Sequence, residues 1–275
     1  MEPLYTDTEN FLVILDSRNA IEYMNGSYNS KVKFNFENAI RLGTDSIKMT
    51  CSVFTFTCPN SLYNINETNS LLSLTISGTT TNYTFKLGNY NAKTFMTQLV
   101  GTIGSNFSIT LDTITNKFTL TNSVADFTIN SSSTIWNVMG FAMNTSYSSS
   151  SKSLSMPYTC NFNGIQSLNI HFENLNTCNI DSWNESTSSI IQSVPIDCTL
   201  QQISFNKTTD FAFNISQDTI DYITIGLTDD LENYLNFNNQ HWNLTLYFSK
   251  TRDFDRFHYT KDFNSILQHG VSLFE

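Results

Sequence analysis

The chain has 275 residues, 40% of them hydrophobic and only 14% charged, with a net charge of −10. That length buries a large core and suits one big β domain or two smaller ones. No apolar run approaches the roughly 18 residues of a membrane helix, and the lack of clustered Lys and Arg speaks against wrapping on nucleic acid.

Polarity comes instead from Asn, Ser and Thr, while 22 Phe and 12 Tyr against 10 Gly and 4 Pro favour strands. The start, MEPLYTDTENF, lacks the basic and apolar regions of a secretory leader. The chain is therefore expected to be made and kept in the cytosol, or to have lost an upstream segment.

Phe11 to Leu15 (FLVIL), followed by the turn cluster Asp16-Ser17-Arg18-Asn19, fits a strand buried on both faces. Val32, Phe34 and Phe36 alternate, as do Ile47, Met49, Cys51 and Val53. Phe54 and Phe56 then continue in the opposite phase, which predicts a β-bulge or a strand turning a corner between sheets.

The texture changes over residues 61–158. Leu72, Leu74 and Ile76 form one candidate strand, and Tyr83, Phe85 and Leu87 a second, joined by SGTTTN. Phe95, Leu99 and Ile103 fall at helical spacing behind Asn91, a suitable cap. Ile109 and Leu111 pair with Phe118 and Leu120 across TITN as a hairpin, and STIWNVMGF suits a helical turn. The Ser-rich run at residues 146–155 reads as the break that closes this segment.

Strand patterns return after Cys160: Leu168, Ile170 and Phe172 alternate, then Phe211, Phe213 and Ile215. In GLTDDLENYLNFNNQHWNLTLYF, Ile223, Ile225 and Leu227 lead in, and Trp242, Leu244, Leu246 and Phe248 lead out. Two strands with a polar connection are the expected reading. The tail beyond Asp253 is mixed in charge, a short helix or an arm that docks on a neighbour.

Many short strands without βαβ alternation indicate an all-β sandwich, and a jelly roll is one main way to manage its edges. The expected organisation is a single jelly roll over 1–60 and 159–275, interrupted by a small α+β insertion over 61–158.

Little in the sequence points to chemistry. Nucleophile elbows, phosphate loops and HExxH are absent. Asp229, Asp230 and Glu232, with His241 nearby, offer calcium-friendly oxygens but no EF-hand ladder, so the acids are expected to stay in water or to meet a neighbouring subunit. His171 and Glu173 share a strand face and could share a proton; the bland reading is a surface pair on an outward face. His241, His258 and His269 are isolated.

Trp242 suits a carbohydrate-stacking surface but reads better as core. Cys51, Cys58, Cys160, Cys178 and Cys198 are odd in number without a CxxC, so reduced, mostly buried thiols are expected. Ten Asn-x-Ser/Thr triplets follow from composition and are not read as glycosylated. No catalytic, cofactor-binding or metal-binding residue is assigned, and no cofactor is expected.

Several stretches taken in order carry a resemblance: LDSRNA, IRLGTDSIKMTCSVFTFTCPNSLYNIN, GNYNAKTFMTQLV, FSITLDTITNKFTLTN with TIWNVMGFA, and ITIGLTDDLENYLNFNNQHWNLTLYF. The set, from about Phe11 to Phe248, resembles the penton-base or minor capsid proteins of large eukaryotic double-stranded DNA viruses, polinton-like viruses and virophages.

The resemblance implies a single jelly roll, five copies of which close an icosahedral vertex, with the insertion projecting outward. It implies a non-enzymatic structural protein of the virion, assembled in the host cytoplasm. The implied partners are further copies of the chain, a major capsid protein, and a host receptor or spike, with no direct nucleic-acid binding. Arg252, Arg256 and Lys261 are candidates for contacts between subunits.

A rival reading is a receptor- or glycan-binding spike or fibre head, built from the same β-rich material. A third is a β-sandwich hydrolase, for which the sequence shows no convergent carboxylate pair.

Overall fold

Period-two alternation decides which segments form strands and which way they face. The computed structural model describes residues 6–41, 46–175, 179–181, 186–197, 201–207 and 211–253. They divide into one unit made of Met1–Ser61 with Gln166–Glu275, and a second made of Leu62–Ile165.

The first unit opens with β1 (Thr6–Asp16), β2 (Glu22–Tyr23), β3 (Lys31–Arg41) and β4 (Ser46–Pro59). The second contains β5 (Leu71–Ile76), β6 (Thr79–Thr84), α1 (Ala92–Ile103), β7 (Phe107–Asp112), β8 (Lys117–Asn122), β9 (Phe127–Ile129), α2 (Trp136–Met139), β10 (Tyr147–Ser148) and β11 (Ser153–Ser155). The first unit resumes with β12 (Ser167–Phe172), β13 (Asn179–Asp181), β14 (Ser186–Ser188) and β15 (Ile190–Pro195). It finishes with β16 (Gln202–Asn206), β17 (Phe213–Ile215), β18 (Thr219–Thr228) and β19 (Asn243–Asp253).

Two five-stranded antiparallel sheets form the body of the first unit, in the orders β1-β19-β4-β16, with β17 also on β4, and β15-β12-β18-β3-β2, beside the small β13-β14 pair. The pairings nest: β1 with β19, β3 with β18, β4 with β16 and β17, β12 with β15. Apart from the β12–β15 connection, successive long strands change sheet, which is the jelly roll's wrapping of one long folded hairpin. The fold is all-β, a single jelly roll with a small α+β insertion between β4 and β12.

The inward residues are those whose alternation marked them: Val32, Phe34, Ile223, Ile225, Leu227, Leu244, Leu246 and Phe248 are buried. On β4, Met49, Cys51 and Val53 face in, Phe54 faces out, and Phe56 and Cys58 face in again. The register against β19 slips there, Thr245 opposing Thr55 and Leu246 opposing Val53, so Phe54 is the extra residue of a bulge.

Trp242 is core, as expected. Its ring lies against Phe34 and Phe56, and its indole N–H donates to the carbonyl of Asn29 at 2.7 Å.

FLVIL departs from expectation. Its strand, β1, lies at the edge of its sheet, and Leu12 and Ile14 are 50% and 73% exposed. An unbroken apolar run signals apolar neighbours on both faces but does not say that they belong to the same chain.

In the second unit α1 is capped by Asn91, whose side chain accepts from Thr94 N–H while Thr94 Oγ1 accepts from Asn91 N–H. Phe95, Leu99 and Ile103 of α1 are buried in a core with Leu72, Leu74, Phe85, Phe118 and Leu120. The hairpin pairs Ile109 with Leu120 and Leu111 with Phe118, as the spacing predicts. Ser77 and Gly78 both take positive φ, 49° and 81°, so the β5–β6 turn closes in two residues and draws Thr79 to Asn82 into the sheet.

The Ser-rich run is not a break. It contributes β10 and β11, where Ser148, Ser153 and Ser155 exchange hydroxyl hydrogen bonds with Thr128, Thr121 and Thr119. The unit continues to Ile165: Cys160 N–H donates to Asn116 O, and Asn64 Nδ2 donates to Phe162 O.

Candidate functional site

Polar side chains converge on the outer face of the second sheet, where β12, β18 and β3 lie side by side. On β12, Leu168, Ile170 and Phe172 face the core. The register against β15 shifts between Ile170 and His171, which seats His171 beside Ser189.

His171 is buried, not on an open surface as the sequence suggests. Its Nδ1 lies 2.9 Å from Ser189 Oγ and its Nε2 2.8 Å from Thr228 Oγ1. Thr228 donates its hydroxyl proton to the carbonyl of Asp229 at 3.1 Å. Thr228 therefore accepts from Nε2–H, while Nδ1 pairs with the Ser189 hydroxyl. Both ring nitrogens are engaged internally, so the imidazole ties β12 to β18 and is not a base open to a substrate.

Glu173 does not share a proton with His171. Just past β12, its carboxylate accepts from Tyr234 Oη–H at 2.8 Å and from Lys31 Nζ at 3.2 Å. Lys31 Nζ also donates to Tyr234 Oη at 2.8 Å. Room for that carboxylate comes from Gly226, directly opposite His171, where a Cβ would press on Glu173 Oε1. Burial pulls Lys31 down, but its bonds to Tyr234 and Glu173 prevail and raise it above the usual lysine value. Burial is the main cause of the raised Tyr234 phenol.

The acids of the connection after β18 separate in role. Asp229 is buried, against the expectation that it stays in water. Its Oδ1 accepts from the N–H groups of Leu231 at 2.9 Å and Asn233 at 2.8 Å, and its Oδ2 from Asn233 Nδ2 at 3.0 Å. A carboxylate surrounded by its own loop's donors replaces the water it has lost.

Asp230 is exposed and Glu232 half-buried, while His241 Nδ1 lies 3.2 Å from Ser17 Oγ. Among the described residues no three His, Cys, Asp or Glu side chains gather to hold a metal ion.

Cys51 and Cys58 are buried free thiols, and Cys160 is half-buried. Burial pushes Cys58 up to about 12 and raises Cys51 as well. Cys178, Cys198, His258, His269, Arg256, Lys261 and the side chain of Arg252 lie outside the described residues.

Sequence reasoning missed Lys31, Tyr234, Ser189, Thr228 and Gly226. The alternation in KVKF places Lys31 outward with Lys33 and could have marked it. Tyr234 sits in a connection and Gly226 inside a strand, with no local signal of what they face.

No family model matches the sequence, and no curated protein matches it. Among solved structures, the mavirus penton protein is similar, with 12% identity over 90% of this chain and all of that one, at a TM-score of 0.42. The jelly roll of this chain rests on its own strand order.

Proposed function

We propose that the chain is a viral capsid protein of penton type, five copies of which close an icosahedral vertex, with the inserted unit projecting outward. The observation that carries this reading is the nested jelly roll interrupted by one self-contained unit, a scaffold with two sheets for lateral contacts and one separate module to present. Fold alone does not fix function. Of the converging polar groups, His171 and Asp229 are buried in internal hydrogen bonds, and the exposed Glu173 pairs with Lys31 and Tyr234. A five-fold ring closes through a heterologous interface, so each copy presents two different complementary faces. The other partners are a major capsid protein around the ring and a host receptor or spike, with assembly in the host cytoplasm.

Light scattering on the purified full chain, over a range of protein and salt concentration, tests the ring. A species of five chain masses is expected, and a stable trimer would overturn it in favour of a spike or fibre head. That second reading has one observation in its favour. Residues 62–165 carry only four lysines and three acids, with no arginine, so the insertion presents a nearly neutral, hydroxyl-rich surface suited to an uncharged glycan.

A further inference from the structure

We draw no further inference here: the strongest candidate, the exposed apolar patch of Leu12, Ile14 and Phe54 on the outer face of the sheet that β1, β19 and β4 build, is a surface for which nothing in the structure shows what covers it.

Discussion

The indole N–H of Trp242 donates to the carbonyl of Asn29 at 2.7 Å, tying the entry of β19 to the connection before β3. Ser17 Oγ accepts from the backbone N–H of the same tryptophan at 3.0 Å, so three segments distant in sequence meet at one residue. Trp242→Phe keeps much of the packing against Phe34 and Phe56 but leaves the Asn29 carbonyl without its donor, at a cost of about 1–3 kcal/mol. Trp242→Ala also opens a cavity and should cost about 3–5 kcal/mol. Urea unfolding of the full chain, followed by far-UV circular dichroism, measures both. No loss from Trp242→Phe would mean that the hydrogen bond contributes nothing separate from the ring.

That junction also shows how far local pattern carries. The alternation of Trp242, Leu244, Leu246 and Phe248 is a property of one strand, as is the phase slip at Phe54, and both are legible without neighbours. The burial of His171 depends on Ser189 and Thr228, and the seat of Glu173 on Gly226, Lys31 and Tyr234. None of these is marked by spacing. FLVIL is the instructive miss, because its apolar pattern fits a strand covered on both sides, whereas Leu12 and Ile14 are exposed and only the opposite face turns towards the core. Residues 146–155 mislead for the opposite reason. Serine is a poor strand former alone, yet opposite Thr119, Thr121 and Thr128 it completes hydroxyl ladders.

Asp229 and Asp230 are adjacent acids with opposite expectations. Asp229→Ala removes the buried carboxylate that accepts from the N–H groups of Leu231 and Asn233 and should cost about 1–3 kcal/mol. Asp230 is exposed, so Asp230→Ala should stay within about 0.5 kcal/mol of the parent. Chemical denaturation of the two variants side by side checks the contrast. A large loss from Asp230→Ala would point to a partner for that carboxylate beyond the described residues.

Gly140 closes α2 with φ of 84°, and a Cβ there would press on the Tyr158 carbonyl. Gly140→Ala combines the left-handed backbone cost of about 1 kcal/mol with that collision against backbone, which cannot rotate away. The expected result is a loss above about 2 kcal/mol, with faster amide hydrogen exchange along α1 and β8. Gly101, where an added Cβ meets nothing within 4 Å, is the matched control. Being inside α1, it should gain stability as alanine, by about 0.5–1 kcal/mol.

Alkaline pH should loosen the jelly roll. The folded state holds protons on Cys58, Cys51 and Tyr234 that the unfolded chain releases earlier, because burial raises all three. Through that range the unfolded state binds fewer protons than the folded one, so stability falls as pH rises. Lys31 acts in the same direction. Its raised value means that its ion pair with Glu173 is complete below the unfolded lysine value and is lost as pH climbs through the folded one. For Cys58 the window opens near the ordinary thiol value of 9 and ends at about 12. Within it the thiol contributes a slope of up to about 1.4 kcal/mol per pH unit. Urea midpoints taken at steps across that window should decline steadily, and Cys58→Ala should make the decline shallower while lowering stability at neutral pH. An unchanged slope in Cys58→Ala would show that this thiol ionises as readily in the folded chain as in the unfolded one, and hence that its site admits water.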